Sequence, residues 1–196
     1  WIILALLMLS FGSFYLQGIN NYFEVMSGAI RPAERVGVTI FVGQTVYGIA
    51  SFLMLFAVPL LSMGLISGER KSQTLPFLFS APISLSEIVV GKFLGLILFL
   101  SILVAYILLM LSTLNIWSDI DFGYLLSNSL GLILLAASFS ALGIYFSSLT
   151  SQPMVAAILS FIALFALMGL DKFFGSQPNH WFGYISLMKH FQSFSR

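Results

Sequence analysis

The sequence predicts an all-α, polytopic membrane helical bundle, and three observations carry that expectation. Charge is scarce: of 196 residues, 8% are Asp, Glu, Lys or Arg and 59% are hydrophobic, against about 25% charged in a soluble domain. Mean hydropathy is +1.03. The charges that exist are also grouped, so that residues 1–23, 36–68, 93–118 and 122–170 hold none. A hydrocarbon core about 30 Å thick takes about 20 residues of helix, and each of these tracts is at least that long. The composition excludes an ordinary cytosolic enzyme, a disordered chain and a nucleic-acid binder, which would carry a basic stripe. The absence of cysteine excludes a disulfide scaffold and a Cys-ligated zinc site. A net charge of +1 says nothing about partners.

Taken in order, the tracts yield five spans, at about 1–17, 44–66, 88–112, 125–148 and 153–170. The chain opens on Trp1 with no positively charged leader, a poor fit to a signal peptide, so it is expected to begin inside its first helix. The tract 122–170 is long enough for two passes, and Ser147, Ser148, Thr150, Ser151, Gln152 and Pro153 break its middle. Alanines 137 and 141 and glycines 91 and 95 stand four apart, a spacing that lets helices approach within a bundle or against a second copy. Orientation from Lys and Arg is divided. The loop 67–92 has the higher density, through Arg70, Lys71 and Lys92, whereas the opposite segments have the higher count.

The loop SGERKSQTLPFLFSAPISLSEIVVGK (67–92) has its own grammar. Glu69, Arg70 and Lys71 close the second span as a water-facing stop. Thr74 to Phe79 is apolar and too short to cross, with Pro76 where a first helical turn tolerates it, and reads as a short helix at the membrane surface. Ala81-Pro82 ends it. Ser84 is an N-cap with Glu87 completing a capping box, and Ile83 and Ile88 can form the hydrophobic staple. Any helical hairpin needs a capped turn. A plain one can manage with about five residues, so a loop with its own helix implies that something docks there.

The stretch PLLSMGLISGERKSQTLPFLFSAPISLSEIVVGKFLG resembles the signature of ABC-2 type transporter permeases. The matching positions are Pro59, Met63, Glu69, Arg70, Thr74, Leu75, Pro82, Ile83, Glu87, Ile88, Val89, Gly91 and Lys92. The closing YISLMKHFQSFSR is similar to the segment before the last span in the gliding-motility and nitrous-oxide-reductase-maturation branch. Gln73 stands where the family usually has Gly, Pro76 where it often has Glu, and Gly64 where that branch often has Arg.

The resemblance implies six spans, five of them visible here, with cytoplasmic termini and a preceding elbow helix. The loop 67–87 would then be cytoplasmic and carry the coupling helix, which sits in a cleft on an ABC ATPase subunit. Segments 18–43, 113–124 and 171–196 would face the other side. Glu69, Arg70, Lys71, Thr74, Leu75, Pro82, Ser84 and Glu87 are the expected ATPase-coupling residues. The resemblance further implies an ATP-driven exporter in the inner (cytoplasmic) cell membrane, working with a second permease, identical or homologous. It implies no cofactor in this chain, ATP and Mg being bound by the ATPase.

Other constellations give alternatives. No stretch has the Gly-rich Lys-Ser/Thr pattern of a P-loop. A secondary transporter would usually bury ionisable residues at midplane, and the spans have none in their interiors. Glu87 and Lys92 lie at a span end, within snorkelling range of water. A sodium site from hydroxyls and carbonyls could use Ser127, Asn128 and Ser129, whose plainer reading is a solvated helix start. The histidines, His180 and His190, lie in the last segment, a poor fit to an intramembrane protease or a metal site. The aromatic residues of 171–196, among them Trp181 and Tyr184, suit an interfacial helix or an outer gate. A non-transporting membrane assembly factor is the remaining alternative.

Overall fold

A computed structural model describes residues 2–27, 38–73, 84–116 and 121–174. Among these residues the chain is almost entirely helical, without strands: α1 (Ile2–Met26), α2 (Val38–Ser62), α3 (Ser67–Lys71), α4 (Leu85–Ser112), α5 (Phe122–Leu149) and α6 (Pro153–Phe174), with a 3-10 turn at Thr113–Ile116. Three stretches are long and apolar enough to cross a membrane: Ile40–Lys71, which runs from α2 through α3, Ser86–Asn115 and Phe122–Leu149. Pro153–Leu167 is a shorter apolar helix. The aromatic segment beyond Phe174, both histidines and Thr74, Leu75, Pro76, Pro82 and Ile83 lie outside the described residues.

Helix boundaries follow local chemistry. Asp121 caps α5, its Oδ1 accepting from the Tyr124 N–H at 3.1 Å. The Thr150–Gln152 break ends α5, and Pro153 opens α6, where a missing N–H costs nothing. The break sits within the polar stretch that the sequence marks. The ends of α2 differ from expectation. It begins six positions before residue 44 and stops at Ser62, after the buried Pro59, which leaves the helical ladder one donor short. Glu69, Arg70 and Lys71 therefore do not cap a continuous span; they ride on the separate helix α3.

Helices α2 and α5 form the centre of the bundle. α1 packs on α2 and α4, α4 on α5, and α6 on both α5 and α2. Along α4 the core side takes Leu96, Leu100, Leu103, Ile107 and Leu111, while Leu94, Leu98, Ile102 and Leu109 point outward. A helix apolar on both faces makes sense only when its outer face meets lipid. α5 comes close to α2 at Gly143, where an added Cβ would stand 2.8 Å from the Ser62 Cβ. The small residues singled out in the sequence do otherwise: a Cβ at Gly91 or Gly95 meets nothing within 4 Å, and Ala141 is exposed.

At the far end from α3, Tyr47 is buried between helices. Its hydroxyl donates to the Leu125 carbonyl at 3.1 Å and pairs with Ser129 Oγ at 2.7 Å. Asn128 is also buried and donates to the Tyr124 carbonyl at 2.9 Å. Asn128 and Ser129 are therefore buried and do not form a solvated helix start, and Ser129 bonds across the α2–α5 interface. At this same end Tyr15 of α1 meets Thr113 at 2.7 Å.

Gly143→Ala is expected to lower stability by about 1–3 kcal/mol, because overpacking forces α2 away from α5. Gly95→Ala should be neutral or stabilising, by up to about 1 kcal/mol, since a helix interior favours Ala. Thermal unfolding of the two variants in detergent checks the contrast.

Candidate functional site: the anchored turn at the loop end

Between the end of α2 and the start of α3, residues 63–66 leave the helical ladder. Each residue there still carries a backbone donor and acceptor, and in a membrane protein those groups need partners within the protein. The N–H groups of Met63 and Leu65 find local ones, the carbonyls of Pro59 at 3.0 Å and Ser62 at 3.1 Å. Several of the others are met from distant helices. Ser147 of α5 accepts from Ile66 N at 3.2 Å and from Ser67 N at 3.1 Å, and its own proton goes to the Met63 carbonyl at 3.0 Å. The Ser67 hydroxyl also donates to the Met63 carbonyl. Lys92 of α4 donates to the Leu65 carbonyl.

α3 has no side-chain cap from its own segment, so the Ser147 hydroxyl serves as its cap from eighty residues away. Ser62, Ser67 and Ser147 are all fully buried. Lys92 Nζ also forms an ion pair with Glu69 on α3; the two side chains are 17% and 33% exposed. Lys92 does not snorkel, as the sequence reading had it. It spans from α4 to α3 and satisfies both a carbonyl and a carboxylate.

The next two residues of α3 behave differently. Arg70 and Lys71 are exposed at the tip of the turn. The helix then closes through Ser72 and Gln73, whose N–H reaches the Arg70 carbonyl at 3.3 Å. Gln73 has φ 56°, the left-handed region that suits glycine. The Gly usual at this position in the family that the loop resembles thus has a conformational reason, and Gln73 adopts the conformation at a cost.

Across the loop, α4 starts where the sequence places its cap. Ser84 Oγ accepts from Glu87 N at 3.3 Å and Glu87 Oε2 accepts from Ser84 N at 2.8 Å, a complete capping box. Beside the turn, a cleft of about 380 Å³ separates the start of α4 from the end of α5, walled by Ile66, Val89, Phe93, Ile144 and Tyr145. Among the described residues no three His, Cys, Asp or Glu side chains gather as metal ligands would.

Of the expected coupling residues, Glu69, Arg70 and Lys71 lie together on α3, and Ser84 and Glu87 form the α4 cap. Thr74, Leu75 and Pro82 are outside the described residues. Sequence reasoning missed Ser147, Ser67 and the role of Lys92. Ser147 read only as a break in an apolar run, and no local spacing signals a contact eighty residues away.

Ser147→Ala is expected to cost about 1–3 kcal/mol, because it leaves two buried N–H groups without an acceptor. Gln73→Gly should instead raise stability by up to about 1 kcal/mol by relieving the left-handed conformation. Denaturation of both variants in the same detergent measures the two effects. For the ion pair, Glu69→Lys alone should destabilise, and Glu69→Lys with Lys92→Glu should recover part of the loss. A double substitution no better than the single would exclude direct pairing.

The sequence profile of the ABC-2 family transporter proteins matches residues 1–183. No curated protein and no solved structure matches the chain. The profile spans every described helix, and the apolar helices supply the multi-pass bundle that such a permease needs. The chain belongs to the ABC-2 transporter family, as the membrane permease subunit of an ABC transporter that works with an ABC ATPase.

Proposed function

We propose that this permease is an exporter of the inner (cytoplasmic) cell membrane, with the α3 end of the bundle as its ATPase-docking end. The single observation that supports the reading is the anchored charged turn. Arg70 and Lys71 are presented at the surface, while the turn beneath them is bonded to two other helices. A docking element can drive helices only if it is fixed to them, and an exposed basic tip gives a partner something to grip.

In this reading ATP and Mg bind on the ATPase and none of the chemistry falls on this chain. Closure of two ATPase subunits draws together the turns of two permeases, identical or homologous. Glu69 has an internal task, holding α3 to α4, and Arg70 and Lys71 meet the partner. Thr74, Leu75 and Pro82 belong to the same docking loop, and Ser84 with Glu87 makes α4 follow it. The closing segment is similar to that of the branch that matures nitrous-oxide reductase or drives gliding motility, which serves as the analogy for this reading. Nothing in the chain selects the cargo.

Co-purification of the full chain with its ATPase tests this. Arg70→Glu with Lys71→Glu is expected to weaken ATPase association or to uncouple ATP hydrolysis, while the permease still folds. Glu69→Lys should do so through loss of the α4 tether. Wild-type assembly and hydrolysis in both would contradict the docking role. If no Walker-type ATPase co-purifies with the unsubstituted chain, the docking reading is contradicted.

A further inference from the structure

We propose that Ser147 is a positioning residue that makes α5 follow the α3 turn, so that the turn, α4 and α5 shift as one body at this end of the bundle. The inference rests on the docking role proposed above and adds the route by which motion leaves the turn.

The hydroxyl is used to capacity. A serine has one proton and two acceptor lone pairs. Here the proton goes to the Met63 carbonyl, and the lone pairs take the Ile66 and Ser67 N–H groups. All three bonds reach the stretch where α2 has ended and α3 is beginning. That stretch is the compliant point of the chain, since its helical ladder is interrupted after Pro59 and Ser62. With these bonds, a pull on α3 is carried into α5. Without them, the same pull bends residues 63–66 and leaves α5 where it was.

Packing also joins this region, α3 against α5 and α6 and Ser62 against Gly143, but the hydrogen bonds from the turn to α5 run through Ser147. The cleft of about 380 Å³ parts the first turns of α4 from the last turns of α5 beside the turn. At this level the two helices are joined through the turn itself, by Lys92 from one side and Ser147 from the other. Ser160 makes a useful contrast. It is also fully buried, but its hydroxyl bonds only the Ala156 carbonyl of its own helix at 2.8 Å.

The test uses the full permease–ATPase complex in lipid nanodiscs, with amide hydrogen exchange compared between the nucleotide-free and the ATP–vanadate-trapped states. In the unsubstituted chain, trapping is expected to change exchange both at residues 66–72 and at the α5 end, residues 144–149. Ser147→Ala should retain ATPase association and the change at 66–72, and lose the change at 144–149. Ser160→Ala should retain both. A structural role alone would alter protection equally in the two states and leave the trapping-dependent difference intact. A wild-type difference at 144–149 in Ser147→Ala overturns the proposal.

If Ser147→Ala does not accumulate, Ser147→Cys nearly preserves the volume with a weaker donor and acceptor. It should show a reduced difference at 144–149, and an undiminished one overturns the proposal equally. Trapping that alters neither region in the unsubstituted chain overturns the docking role itself, and this inference with it. Trapping that alters 66–72 but not 144–149 there overturns the Ser147 route alone.

Discussion

The structure depends on one constraint: backbone groups freed by an interrupted helix need partners inside the protein when lipid surrounds it. The chain interrupts its second span between Ser62 and Ser67, and that interruption would be costly if left unmet. It is met by a serine hydroxyl from α5, a lysine ammonium from α4 and a serine within the turn. These three side chains turn a break into a junction of three helices. The close approach of α2 to α5 at Gly143 brings Ser147, one helical turn later, within reach of the turn.

This arrangement reconciles two demands. A turn that meets a soluble partner has to carry charge into water, and Arg70 and Lys71 do so. A turn that moves helices has to be rooted in the apolar bundle, and Glu69, Ser67 and the carbonyls of Met63 and Leu65 supply the roots. One five-residue helix serves both, with neighbouring residues divided between the two tasks. Membership of the ABC-2 family places the chain among transporters that work with an ABC ATPase, and the proposed docking role gives that partner a rooted, basic turn.

Much of this was legible from local sequence. The uncharged tracts located the helices, because a charge inside a span is expensive. Ser84 and Glu87 announced the start of α4, since a capping box needs only residues three apart. The polar stretch ending at Pro153 placed the break between α5 and α6. What escaped was set by contacts distant in the chain. Ser147 looks like a breaker until α2 is laid beside α5. Lys92 looks like a snorkelling residue until Glu69 and the Leu65 carbonyl are seen in front of it. Gly143 has no local mark to separate it from Gly91 and Gly95, although it makes the close approach and they face open space. Buried Ser129 misled in the same way, because its partner, Tyr47, lies on another helix.

In the proposed coupling, the ATPase meets the α3 end while that end stays bonded to α4 and α5. A cryo-electron microscopy map of the full complex in nanodiscs, at a resolution that shows side chains, tests it most directly. ATPase density is expected against Arg70 and Lys71, with Ser147 still on the Ile66 and Ser67 amides and Lys92 still on Glu69. An ATPase seated at the opposite end, near Thr113 and Asp121, or a docked turn detached from Ser147 and Lys92, would contradict it.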